Sequence, residues 1–167
     1  FLEKDAGSPQ EGEARNQLAR SLLDAGKPAD ALGVLKGTLD GGTSAQGRDQ
    51  ALYLAAWCHS ALATGKDVAA QQAEMEATYR KLIAEHPQSP LATDAMLELG
   101  QHLFNRKAFA EAKKWLGNVK EALESDSVPV QPASAARQAE TLERSLFGLG
   151  FIAFEEADYP EASKLLD

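Results

Sequence analysis

The chain predicts an all-α fold, a right-handed superhelix (solenoid) of about four antiparallel helix hairpins, and three observations carry that expectation. First, Met96, Leu99, Gly100 and Leu103 stand at 0, +3, +4 and +7, one face of a helix, and Ala112 with Leu116 repeats the +4 step on the next. Second, the same offsets return elsewhere. Leu18, Ala19, Leu22, Ala31 and Leu35 match them near the N-terminus, and Leu146, Leu149, Gly150, Ala153, Tyr159, Ala162 and Leu166 match them near the C-terminus. Between these copies lies a stretched one in which Leu54, Trp57, Cys58 and Ala61 fit the first helix and Tyr79, Leu82 and Pro87 the end of the second. Third, Ala and Leu dominate, β-branched residues are scarce, and no alternating run asks for a sheet. A single hairpin buries only one face of each helix, so such units are stable only when stacked.

The elements follow in order. Residues 1–7 read as a disordered segment or a linker, and 8–167 as a single repeat domain with copies over about 8–40, 43–87, 89–125 and 134–167. Ser8-Pro9-Gln10-Glu11 supplies an N-cap, a first-turn Pro and a capping-box acid for a helix that Gly26 closes. Pro28 starts its partner. Thr43 with Gln46 forms a second capping box, for a helix of about 20 residues reaching Thr64. Gly65 breaks that helix, and Asp67 caps a long one ending near His86. Ser89-Pro90 opens the central hairpin, whose second helix runs from about Ala108 to Ser125. The connection SDSVPVQPAS then leads into a last long helix over about 134–156. The chain starts without Met and stops at Asp167, a few residues into the helix that Tyr159 and Pro160 begin, so it is expected to be cut from a longer one. That cut is expected to leave the apolar face of the 134–156 helix uncovered and open to self-association.

The small residues in register give the pattern its meaning, because Gly100 and Ala112 fall where two helices must approach within about 8–10 Å. With the large residues around them they resemble the tetratricopeptide repeat (TPR), and the resemblance spans nearly the whole chain from Ser8. The close-packing positions Ala19, Cys58, Gly100 and Gly150 are 39, 42 and 50 residues apart, longer than the usual repeat of about 34. The run Pro87, Ser89, Ala92, Ala95, Leu99, Gly100 is similar to repeats of bacterial cell-envelope scaffolds, such as the Tol-Pal coordinating protein and the outer-membrane assembly lipoprotein. That similarity implies a periplasmic setting. Localisation is otherwise open.

The resemblance implies a non-catalytic scaffold that holds a peptide, helix or loop of a partner protein in a groove lined by the first helix of each pair. Carried over residue by residue, the groove positions are Asn16 and Arg20, with Leu23, in the first copy, and His59 and Leu62, with Ala55, in the second. They are Leu97, Gln101, Phe104 and Asn105 in the third, and Phe147, Phe151 and Phe154, with Glu155, in the fourth. Family members that grip a C-terminal carboxylate use Lys and Asn at two of these offsets. Asn16 with Arg20 and Ala55 with His59 depart from that pair. The alternative is a structural spacer or self-association module within a longer repeat protein.

Charge and chemistry-bearing residues point the same way. A net charge of -8, with ten acids against three bases from Glu121 onward, repels phosphate backbones and argues against nucleic acid. No apolar run approaches the ~18 residues of a membrane span, so direct insertion is not expected. Cys58 sits at a small-residue packing position, which reads as a buried small hydrophobe rather than a nucleophile. His59 points about 100° away from it, so the two make no ready dyad. Neither a metal-ligand spacing nor a Gly-rich phosphate loop occurs, and no cofactor or catalytic residue is expected.

Overall fold

The computed structural model describes residues 9–41, 47–64, 67–125 and 135–166. Among them the fold is all-α, with eight helices and no strand: α1 (Pro9–Asp24), α2 (Pro28–Asp40), α3 (Arg48–Leu62), α4 (Val68–Glu85), α5 (Pro90–Asn105), α6 (Phe109–Glu124), α7 (Ala135–Glu155) and α8 (Tyr159–Leu166). The chain divides into two compact units, Phe1–Leu91 and Ala92–Asp167.

In the first unit, α1 packs on α2 and α3 on α4, and the two hairpins stack through α2 and α3. Ala19, Ala31, Leu35, Ala51, Leu54, Ala55 and Cys58 form the core, with Leu22, Leu23, Leu32, Val34 and Leu39 closing its edge. Small residues there let the helices approach closely while Leu35 and Leu54 fill the space between them. Arg48 secures the start of α3. Its buried guanidinium donates from Nε to Glu85 Oε2 at 3.0 Å and from Nη1 to the carbonyls of Leu39 and Thr38 at the end of α2. Three helix ends are thereby tied by one side chain.

In the second unit, α7 packs on both α6 and α8. Leu116 of α6 is the pivot. Its fully buried side chain fills the space that a Cβ would need at Gly100 of α5, 2.8 Å away, and at Gly148 of α7, 2.7 Å away. The backbone of the same residue is used as well, for its carbonyl accepts a 2.7 Å hydrogen bond from Ser145 Oγ. Gly150 repeats the arrangement one hairpin later, since a Cβ there would stand 2.6 Å from Leu166 Cγ. The helix over 135–155 is therefore covered by α8 along this stripe, where the sequence led us to expect an uncovered face.

Three hairpins turn in the same way. At Gly26, Lys107 and Ala157 φ is +70°, +59° and +62°, and each residue donates its N–H to the carbonyl three residues back. The residue after each donates five residues back, at 2.8, 2.9 and 2.8 Å, completing a Schellman closure. Only the first uses glycine, although the left-handed region costs other residues about 1–2 kcal/mol. Ala157→Gly and Lys107→Gly should each stabilise the chain by roughly 0.5–1 kcal/mol in urea unfolding, less than the strain relieved because glycine also gains freedom when unfolded. Gly26→Ala should do the reverse; nothing lies within 4 Å of the added Cβ, so strain alone sets the cost.

Several local expectations are corrected. Asp67 precedes α4 without a side-chain cap hydrogen bond, whereas Ser89 and Asp158 do accept one, from the N–H of Leu91 and of Glu161. Helix α3 begins at Arg48, so it is shorter than the 20 residues expected. Leu18, Trp57 and Tyr159, assigned to packing faces, are 45%, 43% and 60% exposed. Each sits beside a smaller residue, Ala19, Cys58 or Ala162, that takes the interhelical position instead. Ser8, Thr43, Gln46, Gly65 and most of the 125–134 connection lie outside the described residues.

Candidate protein-docking face

Helix α7 carries two apolar stripes. Leu149, Ile152 and Ala153, with Gly148 and Gly150, turn inward and are buried, and this stripe is spent on α6 and α8. Phe147, Phe151 and Phe154 stand at 0, +4 and +7 on a second face and are 62%, 40% and 54% exposed. The packing stripe of α7 is filled without these rings, which leaves three aromatic side chains in large part open to solvent on another face.

Phe151 and Phe154 belong to a longer ladder of rings within the second unit. Phe109 of α6 meets Phe104 of α5 at 5.8 Å between centroids, and Phe104 meets Phe151 edge-on at 5.4 Å. Phe151 meets Phe154 at 6.5 Å, and Phe154 meets Tyr159 of α8 edge-on at 5.7 Å. These edge-on and tilted contacts set the rings against one another, while Phe151, Phe154 and Tyr159 stay exposed. Tyr159 and Phe109 are the members that sequence reasoning did not place on this face. The signal was available, because Tyr159 opens the short α8 directly after the turn that ends the Phe stripe.

Beside the ladder, α5 and α7 are joined by charged side chains. Arg137 pairs with Asp94, and Arg144 donates to Gln101 Oε1 and to Glu98 Oε1, the latter at 3.4 Å. Burial raises the Asp94 carboxyl above its ordinary pKa, with Arg137 and Arg144 opposing the rise. A cleft of about 700 Å³ adjoins this network, lined by Gln101, Ala139, Leu142, Leu146, Phe147, Leu165 and Leu166 among others. Lys113 of α6 pairs with Glu156 at 2.7 Å, and that hydrogen bond raises the lysine pKa.

The remaining groove positions fall in different settings. Asn16 is fully buried, donating to the Gly47 carbonyl at 2.8 Å and to Gln50 Oε1 at 3.4 Å, and Leu97 is buried at 2% exposure; both face the interior. Arg20 and Asn105 are exposed, and Leu62 is half-buried. His59 is half-buried with Nδ1 2.8 Å from Gln71 Oε1 on α4. Desolvation raises the Cys58 thiol to about 11, which keeps it protonated and unreactive at neutral pH. Among the described residues no three His, Cys, Asp or Glu side chains gather as a metal site, and no helix is long and apolar enough to cross a membrane.

Comparison with known proteins identifies the fold. No protein-family model matches the chain, and no curated protein sequence does. Among solved structures the crystal structure of MamA, a TPR-like helical repeat protein, superimposes with a TM-score of 0.66 at 16% identity over 99% of this chain and 78% of that one. The all-helical chain, with hairpins stacked in each unit and small residues at the crossings, has a TPR-like fold.

Proposed function

We propose that the chain is a non-catalytic protein-interaction scaffold of the TPR type, one repeat domain over residues 8–167, that docks a partner's peptide, helix or loop. The single observation that carries this reading is the second stripe of α7, three phenylalanines 40–62% exposed on a helix whose packing stripe is already filled. Apolar anchors of this kind contribute most of the energy of helix-in-groove and extended-peptide recognition. Gln101 and Asn105, in the same unit, are proposed to contribute rim contacts, and Arg20 and Leu62 are proposed as groove positions of the first unit by itself. The Pro87 to Gly100 run further supports a cell-envelope setting, through its similarity to envelope scaffolds.

Photo-crosslinking tests the docking face. A benzophenone side chain at Phe147 or Phe154 should trap one discrete partner band, and the same group at exposed Lys36 on α2 should not. Phe151→Glu should remove the band with helicity unchanged. Equal trapping from all three positions would show that the stripe is not the docking face. Self-association is a second reading, favoured by the cleft that Leu142, Leu146, Leu165 and Leu166 line. Sedimentation that shifts with concentration, and ceases to shift in Leu142→Glu, would support it.

A further inference from the structure

The ring ladder ends among acids. On α7, Glu155 lies four residues beyond Phe151, about 6 Å along the helix on the same face, and it makes no ion pair among the described residues. Glu156, Asp158 and Glu161 follow, close enough together that all three raise the pKa of Lys113. Lys113 offsets Glu156, and Lys164 lies 3.4 Å from Glu161, so four carboxylates face two ammonium groups at this end. Asp158 Oδ1 is held in place by the N–H of Glu161. Arg106 and Lys107 belong to the turn between α5 and α6.

Two independent features thus meet at the end of α7. Exposed ring faces attract apolar groups and also cations, because the face of an aromatic ring is its negative side. An excess of carboxylates next to them attracts cations and repels anions. A neutral apolar helix would use the rings and leave the acids unanswered, and an acidic segment would be rejected.

We propose that this face recognises a basic-apolar peptide segment, in which an aliphatic or aromatic side chain seats against Phe147 and Phe151 and a Lys or Arg lies over Phe154 and Tyr159 beside Glu155 and Asp158. The proposal rests on the docking reading above and adds the chemistry of the partner to it.

Selection of random dodecamers displayed on phage, against the immobilised full chain, tests it. The expected outcome is enrichment of sequences carrying Lys or Arg within about four residues of a large apolar side chain. A synthetic peptide of the enriched sequence should bind at least tenfold more weakly to Glu155→Lys and weaken steeply between 50 mM and 500 mM salt. It should lose binding to Phe151→Ser and to Phe154→Ser, the second variant guarding against local misfolding in the first. Enriched sequences that are apolar without a base, and that bind Glu155→Lys unchanged but not Phe151→Ser, would overturn the charge proposal and leave the docking reading standing. Acidic enriched sequences would overturn the charge proposal in the same way. Sequences that bind both Phe variants as well as the parent, or no enrichment over uncoated surface, would overturn both.

Discussion

Leu116→Ala is expected to cost about 3–5 kcal/mol, near the top of the range for emptying a buried leucine. The residue is fully buried, and the glycines that make room for it on two neighbouring helices, Gly100 and Gly148, have no side chains that could move into the void. A relaxed site would collapse and lose less. Gly100→Leu attacks the same contact from the other side. The first atom added already stands 2.8 Å from Leu116 Cδ2 and 3.4 Å from its backbone nitrogen, so α5 and α6 would have to separate. Urea unfolding followed by circular dichroism measures both. A loss under 1 kcal/mol in Leu116→Ala would mean that Leu116 does not hold the second unit together.

Arg48→Ala is expected to cost about 3 kcal/mol or more. Among the described residues it leaves Glu85 with Lys81 alone, 3.9 Å away, and it strips the carbonyls of Leu39 and Thr38 of a buried charged donor. Arg48→Lys should recover only part of the loss, because an ammonium group cannot match the planar fork that reaches α2 and α4 at once. Glu85→Gln should cost less than Arg48→Ala, since the guanidinium keeps its carbonyl partners. The order Arg48→Ala, Arg48→Lys, Glu85→Gln in falling cost is the expected result of the same unfolding measurement.

The repeats were legible where one rule is obeyed by two residues at once. Ala19 with Leu35, Gly100 with Leu116 and Gly150 with Leu166 each pair a small residue with a leucine 16 positions later, and the two glycine pairs are in contact. In the first pair, both residues are core. Faces were harder to read. Leu18 and Trp57 are apolar and lie at helical spacing, yet the smaller neighbours Ala19 and Cys58 enter the crossing. Spacing says which residues share a stripe and leaves open which stripe is buried. Arg48 and Asn16 were illegible as interior residues, because each is buried by partners far along the chain, Glu85 and Gly47. The Phe stripe of α7 was legible for the opposite reason: the packing offsets were already occupied by Leu149 and Gly150, and three more rings remained.

The central claim is that these rings are kept for a partner and not for the fold, and thermal unfolding of the triple variant Phe147→Ser, Phe151→Ser, Phe154→Ser tests it most directly. The expected result is a cooperative transition with a loss of no more than about 4 kcal/mol in all, the worth of the Phe104–Phe151, Phe151–Phe154 and Phe154–Tyr159 ring contacts. Three core phenylalanines would cost about 3 kcal/mol or more each. A triple variant that fails to fold, or that melts as such a loss requires, would contradict the account.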